Sequence, residues 1–160
     1  MRLMPESPAR RPWSDLESWR ALCDGTACPI CAEGRPRDVI AELSSSWVTA
    51  PAVALLPGYV AVVAKHHVVE PFEMHPAERS AFWEDLFTAA RTLTDLYTPI
   101  KMNYEIHGNT IPHFHAHLFP RQPDDPFVGG PIDSRRTSFQ RGPEELDRIR
   151  RALRGRSERP

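Results

Sequence analysis

Apolar residues recur at spacings of three and four between residues 76 and 97, where Phe82, Leu86, Ala89, Leu93 and Leu96 form one stripe. That period predicts a helix from about Pro76 to about Tyr97 with one face on a core and no chemistry of its own. Pro76 suits a first helical position, and Glu78 suits the positive end of the dipole. Upstream, "VIAELSSSWVTA" and "AVALLPGYVAVVAKHHV" are valine-rich and broken by Pro57-Gly58, the pattern of β segments joined by turns. Tyr59 to Val63 are continuously apolar, as expected of a strand covered on both faces. Downstream, "KMNYEIHGNTIPHFHAHLFPR" reads as strand, Gly-Asn turn and strand, and "QPDDPFVGGPIDSRRT" as a loop.

The ends of the chain carry weaker patterns. A short helix is expected near the N-terminus, with Ser14 as N-cap and Asp15 and Glu17 in its first turn. "GPEELDRIRRALRGR" predicts a final helix, acids first and arginines last. Residues 1–12, rich in Pro and Arg, are expected to be flexible, and the tail from about residue 154 to fray. No repeat or second domain is visible, so residues 1–160 read as one α+β domain with an antiparallel sheet around one long helix.

Composition narrows the functional classes. The net charge of -1 argues against a nucleic-acid-binding protein. Arg141, Arg148, Arg150, Arg151, Arg154 and Arg156 crowd the C-terminus and read as a solvated helix face. No run approaches the ~18 apolar residues of a membrane helix, and no signal-peptide core opens the chain, so a cytoplasmic protein is expected. Three cysteines make no disulfide framework. Cys28 and Cys31 in "CPIC" read as metal ligands or a redox pair, with Cys23 left over.

The candidate chemistry concentrates in "IPHFHAHLFPR", where His113, His115 and His117 alternate with apolar residues. On a strand the three would share one face, neighbours about 6.6 Å apart at Cβ, while Phe114, Ala116 and Leu118 would pack on a core. Three aligned imidazoles are poor packing material, because each buried ring nitrogen needs a partner. Four readings follow from the residues: a three-histidine metal site, a pH-sensing cluster, a mutually supported histidine nucleophile, or a division between metal binding and catalysis. Zinc wants four ligands when its site is closed. Cys28 and Cys31 would supply two, and two histidines would complete the shell.

The run "HFHAHLFPR" resembles the signature of the histidine triad (HIT) proteins. "PGYVAVVAKHHVVEPFEM", a helix and "NYEIHGNTIPHFHAHLFPR" follow that family's order of elements, a likeness spanning roughly Cys28 to Pro131. The zinc-containing bacterial hydrolase branch is the most similar. The resemblance implies a HIT-like fold, an antiparallel sheet of about five strands with one long helix and a C-terminal helix, paired with its copy in a homodimer. It implies a nucleotidyl hydrolase or transferase acting at an α-phosphate of a phosphoramidate or dinucleoside polyphosphate. His115 would be the nucleophile, forming a covalent phospho-histidine, and His117 would donate to phosphate oxygens. Asn109 and Thr110 would contact phosphate, and Asn103 is a plausible further donor. Structural Zn2+ would be held by Cys28, Cys31, His67 and His113.

Two positions depart from the family pattern. "TAPAVALLPGY" has Pro51 and Ala52 where many members place a ribose-binding carboxylate, and His107 stands where a small or apolar residue is usual. His107 reads as a hairpin-tip residue or an extra phosphate contact, and Arg121 as a surface ion-pair partner or an anion guide. The expected ligand is a phosphate-containing, nucleotide-like small molecule. The alternative reading is a substrate-binding or regulatory HIT-like protein with weak or lost catalysis; a zinc-dependent lyase or oxygenase would instead need an open metal position.

Overall fold

A computed structural model describes residues 12–133, 135 and 139–157. The long helix predicted from the apolar stripe is α3, Pro76–Tyr97, after the short helices α1 (Leu16–Cys23) and α2 (Pro29–Glu33). The strands are β1 (Val39–Glu42), β2 (Ser46–Thr49), β3 (Val53–Ala54), β4 (Val60–Ala64), β5 (Lys101–Glu105), β6 (His115–Arg121) and β7 (Phe139–Gln140), and α4 (Pro143–Ser157) closes the order. Five strands form one antiparallel sheet in the order β1-β2-β4-β6-β5, and β3 pairs with β7 separately. The expected α+β fold with a five-stranded sheet, a long helix and a C-terminal helix is the observed one.

The sheet has two chemically different faces, set by the period of two along each strand. Val48, Val60, Val62, Ala116 and Leu118 point to one face, where Phe82, Leu86 and Leu93 of α3 and Ile149 and Leu153 of α4 complete the core. Ala61 lies opposite His117 and Val63 opposite His115, so the other face of β4 and β6 presents the histidines. Central β4 is buried at every residue, as its unbroken apolar run predicted. Asp85 of α3 accepts from the Ser45 amide and from the Ser45 and Ser46 hydroxyls, tying the helix to the β1–β2 turn.

Three sequence expectations change. His113 is not on the strand: β6 begins at His115, and residues 106–114 form a wide connection rather than a tight Gly-Asn hairpin. The reason lies in the hydrogen bonds: the Phe114 amide donates to Val68 O and the Ala64 amide to Phe114 O, so this segment joins the end of β4 and not β5. At the N-terminus Asp15, not Ser14, caps α1, accepting from the Glu17 and Ser18 amides, because Ser14 closes a preceding 3-10 turn. Arg141 is not part of a solvated face but buried, its Nη2 donating to Tyr59 O. The C-terminal helix α4 runs to Ser157; residues 1–11 and 158–160, where flexible ends were expected, lie outside the described residues.

Candidate functional site

Four side chains from three segments meet at one end of the sheet. Cys28 is the N-cap of α2, whose first position is fixed by Pro29, and Cys31 lies one turn on. His67 leaves β4, and His113 approaches β6. Their ligand atoms all lie within 4.8 Å of one another. Cys28 Sγ is 3.5 Å from His113 Nδ1, Cys31 Sγ is 3.4 Å from His67 Nδ1 and 3.8 Å from His113 Nδ1, and the two Nδ1 atoms are 3.2 Å apart.

The opposite nitrogen of each ring decides what the cluster can do. His113 Nε2 donates to Ala64 O at 2.8 Å, and His67 Nε2 donates to Cys23 O at 2.9 Å. A carbonyl only accepts, so both Nδ1 atoms carry lone pairs, and these face each other across 3.2 Å. Such a contact is repulsive unless a cation lies between them. Zinc–nitrogen bonds of about 2.0–2.1 Å and zinc–sulfur bonds of about 2.3 Å put tetrahedral ligand atoms about 3.3–3.8 Å apart, close to the spacing here. The set fits a tetrahedral ion with no open position, and the carbonyl contacts are the kind that orient metal-binding imidazoles.

Neighbouring residues support that geometry. Gly25 takes φ +88°, a left-handed conformation that favours glycine, and packs beside the His67 ring. His66 points away, its Nδ1 2.7 Å from the Glu78 carboxylate. The leftover Cys23 contributes its carbonyl and not its thiol. Burial, then the adjacent Cys28, pushes the Cys31 thiol up to about 11, a cost that a bound cation reverses because thiolate is the ligand form.

His115 and His117 stand on β6, two residues apart on one face, ring centroids 4.8 Å apart and edge to face. His115 Nδ1 donates to His113 O at 2.7 Å, which leaves the lone pair on Nε2. His117 Nδ1 is 2.9 Å from the Tyr59 hydroxyl. A phenol can donate to or accept from that nitrogen; with the phenol as donor, the His117 proton lies on Nε2. Burial, then the neighbouring His115 and His107, lowers His117 to about 4, so it is neutral at pH 7. With that tautomer, a lone pair and an N–H stand side by side.

Tyr59 is the site residue that sequence reasoning missed. Its ring stacks on Phe119 with centroids 4.8 Å apart, and its phenol is pushed up to about 12 by burial. Gly58 brings it there: at φ +76°, a Cβ would lie 2.9 Å from Tyr97 and Pro120, so only glycine fits. The Gly58 amide and the Tyr97 hydroxyl both donate to Glu145 Oε1 at 2.8 Å, which ties this turn to α4. The only sequence signal was an aromatic residue with a polar tip beside Pro57-Gly58.

Two cavities meet at His115. The first, about 450 Å³, is walled by Leu55, Tyr59, Ile111, Phe119 and Ile132, with His115, His117, Asn109 and Thr110 on its polar side. The second, about 370 Å³, lies between α1 and the 106–114 connection. A larger hollow of about 820 Å³ beside β5 touches neither His115 nor His117. Asn103 lines that hollow instead of the histidine cavity, because its Oδ1 accepts from Arg121. The structure therefore does not bring Asn103 to the other expected phosphate contacts.

Arg121 and His107 also resolve into specific roles. Arg121 is neither a surface partner nor an anion guide: it is buried, paired with Asp125, and donates to Phe127 O and Gly130 O, stapling the 122–130 loop. His107 is bound to Glu105, Nε2 to Oε2 3.0 Å, with its ring 6.1 Å from His117.

A family model described as the HIT domain matches residues 33–124. A comparison with curated protein sequences finds no match. Among solved structures, a histidine triad protein from Bradyrhizobium japonicum is similar at TM-score 0.67 and 21% identity, covering 74% of this chain and 88% of that one. A histidine triad (HIT) protein from Sinorhizobium meliloti is similar at TM-score 0.65 and 22% identity, covering 75% and 90%. A zinc-bound histidine triad family protein from Mycobacterium smegmatis is similar at TM-score 0.60 and 22% identity, covering 81% and 95%. The chain belongs to the HIT family, the match spanning more than half its length.

Proposed function

We propose that this HIT-family chain is a nucleotidyl hydrolase or transferase that cleaves a phosphoramidate or phosphoanhydride bond at an α-phosphate, with His115 as the nucleophile. One observation carries the reading: the His113 carbonyl holds the proton on His115 Nδ1, so the Nε2 lone pair is available beside the neutral His117. In the first step Nε2 bonds to phosphorus and the leaving group departs with its electron pair, taking a proton from solvent when it is an amine. Water then attacks phosphorus, the P–Nε2 bond breaks, and a proton returns to solvent. The charge spread over phosphate oxygens in each transition state is met by the His117 Nε2–H, with Asn109 and Thr110 as further contacts.

The nucleoside fits the cavity walled by Tyr59, Phe119, Leu55 and Ile132, whose flat and aliphatic surfaces suit a base. Among the described residues its one carboxylate, Glu105, is engaged by His107 and the Ile132 amide, so none of them takes the place of the missing ribose acid. Zinc would be held by Cys28, Cys31, His67 and His113 in a structural role, clamping α2 to the sheet and fixing the His113 carbonyl that orients His115.

The chain would act as a homodimer through β5, which has a strand on one side only among the described residues and exposes Ile100, Tyr104 and Ile106. Reduced cysteines suit the cytoplasm; no helix among the described residues is long and apolar enough to cross a membrane.

The test is a trapped intermediate. Incubation with α-32P-labelled adenosine phosphoramidate or diadenosine polyphosphate, quenched in base, should yield an acid-labile labelled protein, with no label on His115→Ala. Absence of label and of turnover with both donors would replace this reading with a binding or regulatory one.

A further inference from the structure

One histidine beside the reacting residues has no task in the zinc cluster or in the attack on phosphorus. Among the described residues, His107, Gly108, Asn109 and His115 line both cavities at the site. Of these four, only the two imidazoles can give up a proton and take it back. His107 Nε2 donates to Glu105 Oε2 at 3.0 Å, and Glu105 Oε1 accepts from the Ile132 amide at 3.3 Å. A carboxylate accepts only, so one ring proton stays on Nε2 and Nδ1 is the nitrogen left for chemistry. The His107 side chain is 53% exposed and that of Glu105 15%, so the ring meets solvent while the group that orients it is held. His117 has both imidazoles as neighbours, its ring centroid 4.8 Å from that of His115 and 6.1 Å from that of His107. A phosphoryl group against His117 would lie close to the nucleophile and to this second ring.

We propose that His107, oriented by Glu105, is the proton carrier of the reaction, giving a proton to the leaving group and then taking one from the attacking water. The inference rests on the proposed nucleotidyl transfer and adds a catalytic residue to it, with Glu105 as a positioning residue. The other groups at the cavities are already committed. His115 gives its Nδ1 proton to His113 O, and its Nε2 bonds to phosphorus. His117 is held neutral by burial, at about 4, and pairs its Nδ1 with Tyr59. Burial pushes the Tyr59 phenol up to about 12, out of range of proton exchange at neutral pH. Glu70 lines the second cavity alone.

The protons and electron pairs balance through one residue. Before the first step Nδ1 takes a proton from solvent, and the Glu105 carboxylate stabilises the imidazolium. As the P–Nε2 bond to His115 forms, the bond from phosphorus to the leaving amine breaks; the amine keeps the electron pair and receives the Nδ1 proton. Water then enters along the direction the amine vacated, because both displacements are in line with the P–Nε2 bond. Its oxygen bonds to phosphorus, one of its protons goes to Nδ1, and the P–Nε2 electrons return to His115. His107 finally releases that proton to solvent. A single acid–base residue serves both steps because amine and water occupy the same place in turn.

Two donors sharing one adenylyl group separate this role from a structural one. The methylamine phosphoramidate has a leaving group that needs a proton, and the p-nitrophenyl ester has one that departs without it. In His107→Ala, with folding checked by thermal melts, labelling of His115 should slow about a hundredfold with the phosphoramidate and no more than about threefold with the ester. The ester should then give a stoichiometric burst of nitrophenolate followed by slow turnover, because the water of the second step lacks its base. Added imidazole should restore part of the phosphoramidate labelling, since the emptied position is open to solvent. Glu105→Gln should show the same split between donors with smaller losses. Equal losses with both donors, or unchanged labelling by the phosphoramidate, would overturn the role of His107 and leave the nucleotidyl transfer standing. If neither donor labels His115 in the parent chain, the transfer falls and the role of His107 with it.

Discussion

The cluster at the end of the sheet and the pair on its face use the same side chain, drawn partly from the same five residues, for opposite purposes. At the cluster, His67 and His113 spend Nε2 on backbone carbonyls, so two lone pairs point at each other and at two sulfurs. On the face, His115 spends Nδ1 on a carbonyl and His117 pairs Nδ1 with the Tyr59 phenol, so a free Nε2 lone pair lies beside a second imidazole at a cavity. A histidine's task is therefore set by what occupies its second nitrogen. Spacing along the strand does not decide it.

The contrast can be broken at either end, and the cluster end should respond most. Cys28→Ser removes a buried ligand and should abolish stoichiometric zinc in elemental analysis and cost on the order of 4 kcal/mol in urea unfolding. Because His113 also supplies the carbonyl for His115, activity should fall with the metal. Full zinc retention would end the four-ligand assignment.

On the face, acid should act through His117. Its folded value of about 4 lies below its ordinary 6.5, so the unfolded chain takes up the proton first. The resulting stability is complete above pH 6.5 and lost as pH falls towards 4, amounting to at most about 3 kcal/mol. Unfolding curves between pH 7 and 4 should show a shallower loss in His117→Gln than in the parent; parallel curves would mean that His117 titrates normally.

The smallest change sharpens the contrast most. Tyr59→Phe keeps the ring stacked on Phe119 but removes the hydroxyl paired with His117 Nδ1. It should lower kcat about tenfold, the worth of one hydrogen bond, with KM for the nucleotide nearly unchanged. Nitrogen-15 spectra of the imidazoles should show the His117 tautomer mixture change while His115 stays fixed. An unchanged His117 tautomer would remove Tyr59 from the positioning of this ring.

Much of the architecture was legible in the chain because burial imposes periods. The stripe from Phe82 to Leu96 marked α3, and the unbroken run from Tyr59 to Val63 marked central β4, since each element shows the core a fixed set of positions. The cysteine pair and alternating histidines were legible as chemistry because few packing environments tolerate such residues together. Arg121, Arg141, Asn103 and Tyr59 were not legible. Their roles depend on partners 4 to 82 residues away, such as Asp125 for Arg121 and Tyr59 O for Arg141.

The sequence by itself determined which residues could do chemistry, through side-chain type, and which elements would carry them, through hydrophobic period. Only the tertiary structure decided which nitrogen of each histidine is free, because Ala64 O, Cys23 O, His113 O and the Tyr59 hydroxyl reach the rings through the fold. Side-chain periodicity is local and written in the order of residues. A ring nitrogen's partner is a matter of distance in space, which the order of residues does not contain.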